Sequence, residues 1–133
     1  MPEAGKLVTY DYAVIRVVPR VERAEFLNVG VIVSCPEHAL LAACIEIDPL
    51  RLEALCPGVD LDAIERHLDT IPLICAGGAA AGPIGRFAPR ERFHWLTAPR
   101  STIIQTSPVH TGRSRTPDTL VESLMAAMVR LKS

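Results

Sequence analysis

The residues best suited to chemistry are concentrated in one stretch of the chain, residues 86–115. This stretch holds six arginines, the single tryptophan and two of the four histidines, against one acidic residue, Glu91. Its formal charge is therefore +5, whereas the rest of the chain has 8 basic and 14 acidic side chains, a charge of −6. Such a separation concentrates the electrostatic field on one part of the surface and indicates where an anionic partner would bind.

The first hypothesis for this stretch is a site for phosphate or carboxylate groups. Guanidinium groups bind such oxyanions through paired hydrogen bonds, hydroxyl groups complete the shell, and a tryptophan can stack on a nucleotide or on single-stranded RNA. The alternative is that the arginines pair with acidic residues elsewhere in the chain. The predicted ligand- or partner-binding residues are Arg90, Arg92, His94, Trp95, Arg100, Ser101, Ser107, His110 and Thr111.

A second hypothesis is catalysis. His94 or His110 would act as general base, Ser101 or Ser107 as nucleophile, and Arg100 would stabilise an oxyanion. The sequence has no Gly-x-Ser-x-Gly elbow. Neither its histidines nor its four cysteines have the spacing of a metal site, so we predict no metal and no cofactor.

A third hypothesis is a non-catalytic partner protein whose basic stretch docks on an acidic surface of another protein. Arginines and aromatic residues are favoured at such interfaces as well as at anion sites. The residues of the stretch fit this hypothesis and the first equally well.

The elements that must position these residues follow from the apolar periodicity. β-branched runs separated by short connections predict a three-strand antiparallel meander, and two later segments with apolar residues at helical spacing predict helices that pack on it. The predicted strands cover residues 7–18, 26–35, 40–48 and 101–110, and the predicted helices cover residues 49–55, 60–72 and 117–131. The fold class is therefore α+β.

Several details of this organisation are testable. In the second strand, Leu27, Val29, Val31 and Val33 should share one face. Gly30 should mark a bulge, or else a close approach of backbone that could serve a ligand. Arg16, in an otherwise apolar strand, should form an ion pair with Glu25 or Glu46, or else be a functional arginine on a cleft floor.

Breaks between the elements are also predicted. Pro72 should kink or end its helix, and residues 111–112 should form a turn. Residues 76–85, which are nearly all Ala and Gly, should form a flexible loop.

Length and composition favour one domain over residues 1–133. The longest charge-free run is interrupted by proline and glycine and is shorter than a bilayer span, so no membrane segment is predicted. The N-terminus does not have a basic region followed by an apolar one. We therefore expect a cytoplasmic protein with four reduced cysteines.

Three runs of residues resemble a bacterial family. They are Asn-Val-Gly-Val at 28–31, Phe-x-Trp-Leu-x-x-Pro-Arg-Ser at 93–101 and Ser-Pro-Val-His-Thr-Gly at 107–112. Over nearly the whole chain the sequence resembles domain of unknown function 3037. It departs from the family pattern after Gly112, where Arg-Ser-Arg-Thr-Pro-Asp replaces an apolar residue and an Asp-Pro pair. The resemblance implies a small α+β domain. Because members look to be encoded beside a HipA-like serine/threonine kinase gene, it also implies such a kinase as a candidate partner.

We therefore predict a cytoplasmic, non-catalytic binding module. Its surface around residues 90–112 would engage an anionic ligand, such as a nucleotide or RNA, or an acidic protein partner such as a HipA-like kinase. The alternative is a small enzyme that acts on a phosphate-containing substrate or a nucleic acid through His94, Arg100 and His110.

Overall fold

An antiparallel sheet forms the centre of the protein. The structure is a computed structural model that describes residues 5–100 and 102–131. Within these residues the strands are β1 (Val8–Val17), β2 (Leu27–Cys35), β3 (Leu40–Ile45), β4 (Ile104–Thr106) and β5 (His110–Ser114). The first three form the meander, in the order β3-β2-β1, and both β4 and β5 pair with the other edge of β1. The predicted α+β class and the meander are confirmed.

The predicted strand at 101–110 is wrong in its bounds, because the chain forms two short strands there. Ser107, between them, keeps the ladder closed: its backbone N–H donates to the Val14 carbonyl, and the Val14 N–H donates to Ser107 Oγ, each at 2.8 Å. Pro108 has no N–H to continue the pairing, which explains the break. The predicted turn at 111–112 is also wrong, because Thr111 and Gly112 lie within β5.

A β-bulge in β2 confirms the prediction for Gly30 and overturns the prediction for its neighbours. Ile15 pairs with Gly30, but Arg16 pairs with Asn28, so Val29 is the extra residue. An extra residue reverses the alternation of faces. Leu27 and Val29 consequently pack on one side of the sheet, whereas Val31 and Val33 pack on the other.

Helices cover both faces of the sheet. They are α1 (Pro49–Leu55), α2 (Leu61–Ala76), α3 (Pro89–Thr97) and α4 (Leu120–Met128). The Asp48 and Asp60 carboxylates cap α1 and α2 by accepting backbone N–H groups, as their positions before each helix predict. Helices α1 to α3 pack over Ile15 and Val29, and α4 packs over Val31 and Val33.

Two predicted helix ends are wrong. Helix α2 continues through Pro72 to Ala76, because Ile74 and Cys75 extend its buried stripe beyond the proline. The last helix begins with a 3-10 turn at Pro117–Thr119 and ends at Met128, where Asn28 Nδ2 donates to the Met128 carbonyl at 3.1 Å.

Residues 76–85 are not an irregular connection. Ala76 ends α2, and Ala79–Arg86 forms 3-10 turns closed by the Gly78 N–H, which donates to the Gly85 carbonyl at 3.1 Å. The flexibility of this segment stays a prediction. Among the described helices none is by itself long and apolar enough to cross a membrane, and α2 with Ala79–Arg86 passes that test only as a pair bent by 61°.

Arg16 does not form the predicted ion pair. Glu25 binds Arg23, Glu46 binds Arg130, and the Arg16 guanidinium lies 4.0 Å from the centre of the Phe26 ring. A cation over an aromatic face compensates part of the cost of burying the charge. The four cysteines are free, and burial raises the pKa of the Cys75 thiol to about 11.

Candidate functional site

Helix α3 carries four of the predicted site residues, and their side chains lie on different faces of the helix. Pro89 occupies its first turn, where a missing N–H costs nothing. Arg92, Phe93 and Leu96 are buried against the sheet and α2, while His94 and Trp95 are exposed. The helix therefore separates the basic residues that the sequence placed together.

Arg92 is an internal structural residue. Its side chain is 7% exposed and donates three hydrogen bonds, to the carbonyls of Phe87 (2.9 Å), Ile74 (2.6 Å) and Cys75 (2.6 Å). The last two carbonyls belong to the final turn of α2, which has no intrahelical partners for them. The positive charge also complements the negative end of that helix. Arg92 is thus unavailable to a ligand.

Arg90 joins a polar row that crosses the end of the sheet. Ser34, Asp11 and Thr111 lie side by side on β2, β1 and β5. The Thr111 hydroxyl donates to Asp11 Oδ1 at 2.5 Å, and Arg90 donates to Asp11 Oδ2 (2.5 Å) and Ser34 Oγ (3.0 Å). Two of the five N–H donors of Arg90 are therefore used within the molecule, and its charge is paired with Asp11.

The charge of Asp11 is compensated from several directions. Its side chain is only 15% exposed, and this burial opposes ionisation. Hydrogen bonds from Thr111 and Arg90, with the positive charges of Arg90 and His94, outweigh the burial and hold the pKa of Asp11 below its ordinary value. The row therefore contains a stable carboxylate that fixes α3 to the sheet.

His110 and Ser107 lie apart from this row. His110 pairs with Tyr12, the neighbour of Asp11 on β1, and its ring lies 5.3 Å from the Tyr12 ring, on the α4 side of the sheet. Ser107 is buried, and its hydroxyl donates to the Pro108 carbonyl while accepting from Val14. Ser101 lies outside the described residues.

Trp95 and Arg100 form an exposed pair at the other end of α3. The indole is 46% exposed, and the Arg100 guanidinium lies 4.5 Å from the centre of its ring. Arg100 also donates to the carbonyls of Trp95 (2.6 Å) and Leu96 (3.0 Å), and so caps the C-terminus of α3. Within the described residues no carboxylate lies within ion-pair distance of Arg100, so no ion pair neutralises its charge.

Two grooves meet at Trp95. One, of about 520 Å³, lies between α2, α3 and β4, with Ile71, Leu96 and Ile104 among its apolar lining. The other, of about 550 Å³, lies between α2, α3 and the 3-10 segment. Trp95, Thr70 and Ile74 line both. We call Trp95 and these two grooves the Trp95 surface.

The Trp95 surface has an apolar floor and a polar rim. Several large apolar side chains on it are about half exposed: Leu73 (46%), Phe87 (48%), Trp95 (46%) and Ile103 (43%). The rim of the first groove is formed by His67, Thr70, Arg100, Thr102 and Gln105. An exposed apolar patch with a polar rim is typical of a binding surface.

Sequence reasoning missed most of this surface. Leu73, Phe87 and Ile103 are ordinary apolar residues in the sequence, and only their exposure after folding distinguishes them. Their one local signal is in α2, where Leu73 lies outside the buried stripe of Ile64, Leu68 and Ile71. Asp11 and Ser34 were also missed, because the register that brings them to Arg90 is non-local.

The residues of the enzyme alternative are spread over the molecule. His94 faces the Asp11 side of the sheet, His110 the α4 side, and Arg100 caps α3. In the part of the chain described, no group of three or more His, Cys, Asp or Glu side chains is arranged to hold a metal ion.

Comparison with known proteins identifies the family. Residues 12–129 match the family model described as "Protein of unknown function (DUF3037)", which covers most of the chain. The chain therefore belongs to this family, as its resemblance predicted. No curated protein and no solved structure matched it.

Proposed function

We propose that this DUF3037 protein is a non-catalytic protein-binding module that holds a partner segment against the Trp95 surface. The observation that carries the proposal is the pair of apolar grooves on either side of a half-exposed tryptophan. Tryptophan and arginine are the residues most enriched among those that dominate binding energy at protein interfaces. Trp95 and Arg100 are such a pair.

The lining favours a peptide over a nucleotide or RNA. The grooves offer mainly aliphatic side chains, which suit the apolar side chains of a protein segment. One face of the indole already lies against Arg100, which leaves a single face for stacking. Phosphate binding would also favour several guanidinium groups without a carboxylate partner, but Arg90 is paired with Asp11 and Arg92 is buried.

The side chains on the rim indicate which chemical groups the partner segment should carry. Arg100 has no carboxylate partner among the described residues, so a Glu or Asp of the partner segment would complete its hydrogen bonding. The segment would place apolar side chains in the grooves on both sides of Trp95. A HipA-like kinase, the partner implied by the family resemblance, is the first candidate to carry such a segment.

The test is a pull-down from the native host followed by titration of each recovered partner, with a HipA-like kinase assayed directly. Trp95→Ala should weaken binding at least about tenfold, since truncation of a central aromatic typically costs more than about 1 kcal/mol. Arg100→Gln should weaken binding and reduce its dependence on salt. Met128→Ala, an exposed apolar change on α4 across the sheet, is the matched control and should bind like the wild type.

Thermal melts of all variants must show that they remain folded. If Trp95→Ala binds the partner as well as the wild type does, the Trp95 surface is not the docking site. If nucleotide or RNA is recovered instead, detected by ultraviolet absorbance, the module binds nucleic acid and the protein-binding proposal fails.

A further inference from the structure

The outer edge of strand β3 is a second exposed feature, separate from the Trp95 surface. Among residues 5–100 and 102–131, strand β3 pairs with β2 on one side only and ends the sheet. Every residue of β2 except Asn28 is buried, whereas every residue of β3 is partly exposed, although helices cover both faces of the sheet. This difference in burial agrees with the position of β3 at the end of the sheet.

The hydrogen-bond pattern shows which backbone groups are free. The Glu46 N–H, directly after β3, donates to the Val29 carbonyl at 2.7 Å. In an antiparallel pair, alternate residues direct their N–H and C=O groups to the same neighbour. Cys44, Ala42 and Leu40 therefore face β2, while Leu41, Ala43 and Ile45 direct theirs outward. Within the described residues those three N–H groups donate no backbone hydrogen bond outside the sheet ladder.

This edge has none of the features that usually prevent pairing. Natural edge strands are protected by charges, proline, bulges or short length. Strand β3 reads Leu-Leu-Ala-Ala-Cys-Ile, without a charge or a proline, and its register with β2 is continuous over all its residues. It is therefore suited to accept another strand.

We propose that this edge pairs with the same edge of a second copy of the chain, about a two-fold axis beside Ala43. The outward-directed residues Leu41, Ala43 and Ile45 are centred on Ala43, so an antiparallel copy places Ala43 opposite Ala43 and Leu41 opposite Ile45. Each of them exchanges both backbone hydrogen bonds with its opposite residue. The result is one continuous sheet through both copies, with the isologous contact expected of a two-fold dimer.

The side chains agree with this register. Ala42 comes to lie opposite Cys44, and the axis is flanked by small alanines. Glu46, the nearest charged residue, comes to lie opposite Leu40, and its carboxylate is bound by Arg130 of its own chain. No like charges face one another, which would otherwise disfavour the pairing. The inference is independent of the Trp95 surface.

Sedimentation of the full chain over a wide range of concentration tests the proposal, with Ala43→Pro as the variant. Proline removes an N–H that makes no hydrogen bond to any described residue outside the ladder, and edge strands tolerate it there. The wild type should sediment with twice the mass of one chain, and Ala43→Pro as a monomer with an unchanged circular dichroism spectrum. Ala43→Ser, which keeps the N–H, is the matched control and should remain a dimer.

Amide hydrogen exchange of the wild type tests the register without any variant. In the dimer, the amides of Leu41, Ala43 and Ile45 should become protected as the concentration rises, whereas those of Ala42 and Cys44 should be protected at every concentration. A wild-type monomer at the highest concentration, a dimer that persists in Ala43→Pro, or fast exchange of Ala43 in the dimer would each overturn the proposal.

Discussion

Replacement of Arg92 by methionine removes the contact that ends α2 and joins it to α3. The guanidinium donates to the carbonyls of Ile74 and Cys75 at the C-terminus of α2 and to the carbonyl of Phe87 before α3. Methionine fills a similar apolar volume but donates nothing. The change therefore isolates the hydrogen bonds and the charge from packing.

The expected loss follows from the burial of these groups. A hydrogen bond from a charged donor contributes about 1.5–3 kcal/mol, and a buried carbonyl left without a donor costs about 1–3 kcal/mol. Because Gly77 and the neighbouring turn lie against the guanidinium, water has limited access to the vacated space. We expect Arg92→Met to lower the free energy of unfolding by about 3–5 kcal/mol, a large part of the roughly 5–15 kcal/mol typical of a domain.

Urea denaturation, followed by circular dichroism and by Trp95 fluorescence, measures this loss. Arg92→Lys should recover only part of it, since an ammonium group cannot reproduce the planar fork that reaches three carbonyls. Arg113→Met, at an exposed position of β5, is the matched control and should change stability by no more than about 0.5 kcal/mol. If Arg92→Met costs less than about 1 kcal/mol, the carbonyls find other partners and the structural role assigned to Arg92 is refuted.

Three further predictions concern the sheet. The pKa of Asp11 is depressed by folding, so its contribution to stability is present above its unfolded value of about 4 and is lost as the pH falls through the folded value. Asp11→Asn should flatten this acid-side decline in the free energy of unfolding, and an unchanged decline would contradict the role of the row. Ser107→Ala, which leaves a buried N–H unsatisfied, should cost about 1–3 kcal/mol in urea melts, and a neutral result would mean that water replaces the hydroxyl. In the same melts Gly30→Ala, whose new methyl would collide with a backbone carbonyl of β3, should cost at least about 2 kcal/mol. This loss of stability should be larger than the loss caused by Gly58→Ala, where φ is +79° but the space around the new methyl is open. The reverse order would contradict the close approach of Gly30 to β3.

The parts of the fold that the sequence predicts are those that depend on neighbouring residues. Asp48 precedes a proline and Asp60 precedes an apolar run, positions typical of helix caps, and both carboxylates accept backbone N–H groups of the helices that follow. The meander followed in the same way from short connections between β-branched runs. In each case the interaction that decides the structure joins residues a few positions apart.

The parts that the sequence could not give depend on pairing at a distance. The two-residue period placed Val29 with Val31, but the bulge opposite β1 puts them on different faces. The role of Ser107 likewise depends on its bonds with Val14, which is 93 positions away. Nothing in the local sequence of either segment reports the register of the strand that it meets.

The same limit applies to the candidate site, because a count of charges does not show which charges stay free after folding. Arg90 is paired with Asp11, and Arg92 is buried at the end of α2. Both contribute to the charge of +5 in the sequence, yet the charge of Arg90 is paired with a carboxylate and that of Arg92 is buried against carbonyls. Arg100 also binds carbonyls, but it is exposed beside Trp95 and has no carboxylate partner in the part of the chain that the structure describes. An acidic partner should therefore respond to changes at Arg100 and be insensitive to His110, which lies across the sheet against Tyr12. Equal losses of binding from Arg100→Gln and His110→Ala would instead indicate a diffuse basic surface, as the charge count alone suggested.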